Sequence, residues 1–176
     1  MVKISLQHFA EPVQGTKLIY LYRVKSEAST ADATALAFTT ENERTKSKDA
    51  DTTATKDGTI RTPGASETEV TATSLLSKGD TMIAKLENAL DNNELMEIWE
   101  VNLDEKGAGA DADKYKATYF QGYLTELGLS SNAEDFVEAS LTFGINGSGA
   151  AGYATVTEEQ QEIASYVFAD TQKTGV

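Results

Sequence analysis

Residues 17–24 read KLIYLYRV, with Leu18, Tyr20, Tyr22 and Val24 on one face and Ile19 and Leu21 on the other. Aromatic and branched residues at a spacing of two fit a pleated strand. Apolar side chains on both faces require cover on both, a core on one side and a neighbour on the other. The alternation returns in residues 33–44, where Leu36 and Phe38 share a face, and in residues 67–76, where Val70, Ala72 and Ser74 do. It returns again in residues 94–104, with Trp99, Val101 and Leu103 opposite Met96 and Ile98, and in residues 114–129, with a bend expected at Gly122. Residues 136–145 alternate most cleanly, through Val137, Ala139, Leu141, Phe143 and Ile145. Six or seven strands in succession predict a mainly β fold, an antiparallel sandwich or small barrel with one flanking helix.

One long stretch breaks this pattern. Residues 41–61, ENERTKSKDADTTATKDGTIR, contain almost no apolar side chain and carry five basic and five acidic ones. Asp57-Gly58 is a two-residue hairpin signal, and Pro63-Gly64 marks the end of the insertion. A polar β-hairpin or loop of this length cannot bury a core of its own, so it is either disordered or ordered by a partner.

Two segments have helical period. In residues 80–91, Met82, Ile83, Leu86, Ala89 and Leu90 form one apolar stripe, with Asp80 as the expected N-cap and Asn92 or Asn93 as a left-handed stop. Residues 157–169 open on Thr157 with Gln160 three positions on, a capping box, and present Ile163, Ala164, Val167 and Phe168 as a short apolar face. Residues 146–152, NGSGAAG, are expected to be a flexible link before that helix.

The length of 176 residues suits a single domain. With no cysteine there are no disulfides, thiolate metal sites or cysteine nucleophiles. The single histidine, His8, cannot by itself form a multi-histidine metal site, and its ordinary reading is an incidental or interface residue. The net charge of −13 argues against gripping nucleic acid, which needs clustered Lys and Arg. It suits a surface that polyanions pass without sticking. Residues 1–12 contain no secretory apolar core, and no apolar run approaches the length of a membrane span. The chain is therefore expected to be made in the cytoplasm in soluble form.

Known catalytic signatures are missing: no GxSxG, Walker loop, HExxH or GxGxxG occurs. Asp49 with Asp51, and Asp111 with Asp113, lack the spacing and distal glutamate of a calcium loop and read as solvated acids. Glu97, Glu100, Glu126 and Glu138 lie on strands, where a polar face explains them as well as paired-carboxylate chemistry does. Tyr115, Tyr119 and Tyr123 share a strand face, as a core or interface row or as a platform for sugars or bases.

The order of strand, polar insertion, strand, the helix in DTMIAKLENALDNNELMEIWEV, and then YFQGYLTELGLSSNAEDFVEASLTFGINGSG resembles the major tail protein family of long, non-contractile tailed phages of Gram-positive hosts. The segment EEQQEIASYVFADT is similar as well, so that the resemblance runs from about residue 15 to residue 174. It implies a virion tail tube subunit without cofactor or catalysis. Such subunits form hexameric rings that stack into a hollow tube, with inner sheets joined around a lumen through which the genome passes. The implied partners are further copies of the chain, a tape measure protein, a tail terminator and distal tail or baseplate proteins. DNA would pass without tight binding.

The resemblance implies an N-terminal arm over residues 1–14, a bridging loop over residues 41–64, and a link and C-terminal arm over residues 146–176. The interface residues it points to are Glu43, Arg44, Lys46, Lys48, Asp49, Asp51, Lys56 and Asp57 on the insertion, with Ile163, Val167 and Phe168 on the terminal helix. The alternative is a β-sandwich module that binds carbohydrate or a receptor, supported by the tyrosine row.

Overall fold

The structure, a computed structural model, describes residues 12–79 and 81–164, with side chains described as far as Gln161. In chain order the elements are β1 (Leu18–Val24), β2 (Thr39–Thr55), β3 (Gly58–Leu75), α1 (Met82–Asp91), β4 (Met96–Lys106), β5 (Tyr115–Ser130), β6 (Glu138–Ile145), β7 (Ala150–Ala154) and α2 (Glu158–Ala164). All seven strands belong to one antiparallel sheet in the order β1-β4-β5-β6-β3-β2, with β7 also paired to β5.

This sheet curls over on itself. The Tyr22 hydroxyl of β1 donates to Asn42 Oδ1 of β2 at 2.9 Å, although the two strands stand at opposite ends of the order. The Tyr22 ring also stacks on Phe143 of β6, with centroids 5.3 Å apart. The concave face therefore encloses the main core. Tyr20, Tyr22 and Val24, Met96 and Ile98, Phe120 and Leu124, Ala139, Leu141 and Phe143, and Val70 and Ala72 all point into it, as the period of two predicts. Helix α1 closes this core with Ile83, Leu86 and Ala89, the apolar stripe read from the sequence. Asn93, at φ +53, supplies the left-handed stop. Thr81 occupies the N-cap position without a side-chain cap bond, and Asp80 lies outside the described residues.

The reverse face carries a smaller cluster of Leu21, Val101, Tyr115, Ala117 and Val156, with Trp99 packed against it. The chain following β7 covers it. Thr157 and Gln160 make the reciprocal capping bonds of α2, and Gln161 accepts from the Tyr115 hydroxyl at 3.0 Å. The start of the terminal helix thus docks on the subunit's own body.

Three sequence expectations need correction. Residues 33–44 are not one strand: Leu36 is buried, but Phe38 turns out to solvent at φ +48, and β2 starts only at Thr39. Thr39 Oγ1 bonds back to the Leu36 carbonyl at 3.0 Å and fixes that turn. Residues 146–152 are not all linker. The chain resumes as β7 against residues 115–119 of β5, so that β6 and β7 act as one strand interrupted at residues 146–149. Pro63-Gly64 does not end the insertion but sits inside β3 at a register shift opposite Asp49, and the hairpin turn is Lys56-Asp57, with Thr55 paired to Gly58. His8, residues 1–11 of the expected N-terminal arm, and Val167 and Phe168 lie outside the described residues, as does the Ile163 side chain.

Candidate assembly surfaces

The β2–β3 hairpin is the element that stands out. At its base β3 has a partner on each edge: residues 68–74 pair with both β6 and β2. From Gly58 to Glu67, β3 pairs with β2 alone, so a two-stranded ribbon leaves the sheet. Nearly all of its side chains are exposed. The alternation of charge and threonine permits this, because neither face of the ribbon has apolar surface that must be buried.

Of the sequence-predicted residues, Lys48, Asp49, Asp51, Lys56 and Asp57 fall along this ribbon and its turn, whereas Glu43 and Lys46 pair with Thr71 and Thr68 at its base. Arg44 is different. Its guanidinium pairs with Glu100 of β4, Nε to Oε2 at 2.7 Å and Nη2 to Oε1 at 3.2 Å. Tyr20 donates to the same carboxylate at 2.6 Å. The bond to Glu100 holds the Arg44 pKa above its ordinary value. Arg44 thus fastens the base of the hairpin to the body.

A cleft of about 380 Å³ opens where the ribbon parts from β6, lined in part by Ser47, Ser66, Thr68, Gly144 and Ile145. Thr68 Oγ1 is buried at its inner end without a hydrogen-bond partner.

Of the strand carboxylates, Glu97 and Glu100 resolve into structural roles, while Glu126 and Glu138 lie exposed. Glu97 accepts from Arg23 at 2.7 Å and from the Tyr119 hydroxyl at 2.6 Å, and Tyr119 in turn packs on Trp99. The tyrosine row is split: Tyr115 is buried, Tyr119 is tied to Glu97, and only Tyr123 is open to solvent. It therefore presents no continuous stacking platform. Asp111 pairs with Lys114 at 2.8 Å. Among the described residues no three His, Cys, Asp or Glu side chains are grouped as metal ligands, and no helix is long and apolar enough to cross a membrane.

The far end of the sheet carries a feature the sequence reading did not anticipate. Where β5 and β3 end and β2 and β6 begin, Phe38, Leu76, Leu129 and Phe136 are all exposed. Their places are set by the register: Ser130 faces Glu138, Leu75 pairs with Glu138 on the other side, and the Leu75 amide donates to the Phe38 carbonyl. The available signal was Phe136, an aromatic placed directly after the acidic turn SSNAED.

Comparisons with known proteins agree with this architecture. A family model described as phage tail tube protein matches residues 12–150. A tail protein of Staphylococcus phage phiMR25 is 34% identical over 158 residues, covering 88% of this chain and 81% of the relative. The SPP1 tail tube structure, solved by solid-state NMR and cryo-EM, has the same fold with a TM-score of 0.72, at 23% identity and 93% coverage of both chains. The tail of an empty gene transfer agent particle, refined with C6 symmetry, matches with a TM-score of 0.58 at 11% identity, over 81% of this chain and 98% of that one. With a family model spanning most of its length and a relative of this identity, the chain belongs to the phage tail tube protein family and is a structural subunit of a virion tail tube.

Proposed function

We propose that this chain is the major tail subunit of a long, non-contractile phage tail, whose activity is assembly and not catalysis. Six copies close into a ring, rings stack into a hollow tube, and the genome moves through the lumen. The C6 symmetry of the gene transfer agent tail that shares this fold supports the number six. The acidic balance, −13 per subunit, supports passage of DNA without adhesion. The tape measure protein, the tail terminator and the distal tail or baseplate proteins are the further partners that such a tube requires.

The observation that carries the proposal is the β2–β3 ribbon. A two-stranded ribbon without a layer beneath it has little stability of its own, and its open backbone edges invite pairing. Its place in the fold makes sense when a neighbouring subunit supplies the missing surface. Glu43, Lys46, Lys48, Asp49, Asp51, Lys56 and Asp57 then meet complementary charges on that neighbour, while Arg44 anchors the ribbon at its root. Ile163, Val167 and Phe168 are assigned to a second bridge through the C-terminal arm.

Electron microscopy of the purified protein at rising concentration tests this. Hollow tubes with sixfold end-on views are the expected result. Rings of another symmetry would refute the hexamer. A chain that stays monomeric at millimolar concentration, and also in the presence of preformed tail initiation complexes, would refute the tube itself.

A further inference from the structure

The four residues that interrupt the line of β6 and β7, Asn146-Gly147-Ser148-Gly149, are all exposed. They are held at their two ends. The Asn146 amide donates to the Gln121 carbonyl at 2.7 Å, and Gly149 lies so close to the Phe120 ring that a Cβ there would collide with it. Between these points Gly147 holds a left-handed backbone, φ +74, and nothing lies within 4 Å of where a Cβ would stand on it.

An asparagine carries a latent electrophile beside a latent nucleophile. The amide nitrogen of the next residue can close a five-membered ring on the side-chain carbonyl carbon, and an intramolecular attack of this kind is strongly favoured over one from solution. Glycine in the next position assists the closure, since no Cβ screens its nitrogen and its backbone turns freely. A hydrogen bond on either group hinders it, because that bond must be broken first.

The chain has seven asparagines, and Asn146 alone is followed by glycine. Five of the others are bonded through their carboxamides. Asn42 accepts from Tyr22, Asn92 donates to Asn88, Asn102 donates to Glu105, and Asn132 accepts from the amides of Glu134 and Asp135. The sixth, Asn93, has no such bond among the described residues, but the nitrogen that would attack it, that of Glu94, donates to the Ala89 carbonyl at 2.8 Å. Asn146 differs from all six. Among the described residues nothing bonds its carboxamide, and nothing accepts from the Gly147 amide. We infer from this contrast that Asn146-Gly147 is a site of spontaneous covalent modification, at which the asparagine converts to aspartate and isoaspartate.

The Gly147 nitrogen gives up its proton to solvent and attacks Asn146 Cγ. The N–Cγ bond forms, the Cγ–Nδ2 bond breaks, and Nδ2 takes a proton and leaves as ammonia. One water molecule then opens the ring. Opening at Cγ restores the ordinary backbone with an aspartate side chain. Opening at the main-chain carbonyl routes the backbone through Cβ and Cγ, which is isoaspartate. Either way one water is consumed and one ammonia released, with no oxidant, metal or enzyme. Each product adds a negative charge to an exposed turn, and isoaspartate also lengthens the backbone by one carbon where β6 hands over to β7. Asp57-Gly58 at the hairpin turn is the nearest rival, but there Gly58 is paired with Thr55 across the turn, and a carboxylate is a poorer electrophile than a carboxamide. The reaction belongs to the subunit itself and does not depend on the tube reading.

The test ages the folded full-length chain in warm, mildly alkaline buffer. Its peptides are then read by mass spectrometry and by methyl labelling with an isoaspartyl methyltransferase, which marks isoaspartate and not aspartate. Isoaspartate is expected in the peptide that holds residue 146, at a rate about tenfold or more above that of any other asparagine or of Asp57. Asn146→Gln should abolish the label on this peptide, because the longer side chain would have to close a larger ring. Gly147→Ala should slow the conversion about tenfold by screening the nitrogen. The added methyl meets no neighbouring atom, and circular dichroism checks that both variants fold. Conversion at residue 146 no faster than at the other asparagines, or a label on this peptide that persists undiminished in the Asn146→Gln protein, would overturn the inference.

Discussion

At the scale of single residues, the side chain with most at stake is Glu97. Only 6% of it is accessible, and it lies between Arg23, Lys25 and Tyr119. Burial pushes its pKa up, but the Tyr119 hydroxyl, Arg23 and Lys25 outweigh that and hold it below the usual carboxylate value. A carboxyl group with a lowered folded-state pKa stabilises the fold above its unfolded pKa. That contribution is lost as pH falls through the folded value. Glu97→Gln keeps the shape and removes the charge, leaving Arg23 without its counterion. The expected cost is about 2 to 3 kcal/mol at pH 7, below the full figure for a buried pair because Arg23 is partly solvated. The gap should close as pH falls through that lowered folded-state value, because wild-type Glu97 is then protonated as well. Urea unfolding across an acid series starting from pH 7 checks this, and a stability gap that does not change with pH would sink it. The pair was invisible in the sequence, since Arg23 and Glu97 are 74 positions apart and meet only through the β1–β4 register.

At the scale of elements, the hairpin separates stability from assembly. Residues 50–63 touch no core, and the pairs at the base, including Arg44–Glu100, lie outside that range. Replacing residues 50–63 with an Asn-Gly turn should therefore change the unfolding free energy by no more than about 0.5 kcal/mol. The same variant should form no tubes under conditions where the intact chain does. Thermal unfolding and electron microscopy read the two effects separately. Tubes of normal length from the shortened chain would remove the ribbon from the assembly. The elements that could be read in the sequence are those whose partner lies within the chain. Helix α1 and strands β1, β4 and β6 show their period because one core decides which side chains are apolar. Gly122 was readable as a close approach, and a Cβ there would lie 2.3 Å from the Gly144 carbonyl oxygen. Strand β7 left no trace, because Ala150–Ala154 is held mainly by backbone pairing to β5. The apolar end was hidden for a related reason. Phe38 follows Leu36 at strand spacing, and no glycine or asparagine signals the left-handed turn that separates them.

At the scale of the whole molecule, two core clusters lie on opposite faces of the same strands. Met96 and Ile98 of β4 point into the larger cluster, and Trp99 and Val101 into the smaller. Strand β5 divides in the same way between Phe120 on one face and Tyr115 with Ala117 on the other. Neither cluster can lose its packing without releasing a strand that the other depends on. The subunit should therefore unfold in one cooperative step. Trp99 is the only tryptophan and packs against the smaller cluster, so its fluorescence reports that face alone. Phe143 is fully buried in the larger cluster, on the other side of the sheet. Phe143→Ala should cost about 3 to 5 kcal/mol through lost packing and the cavity left behind. With a urea slope of about 2 kcal/mol per molar, the midpoint should fall by about 2 M. Far-ultraviolet circular dichroism and Trp99 fluorescence should report the same shift. If the dichroism moved while the Trp99 midpoint stayed in place, the two faces would be independent folding units. The argument that they share their strands energetically would then be wrong.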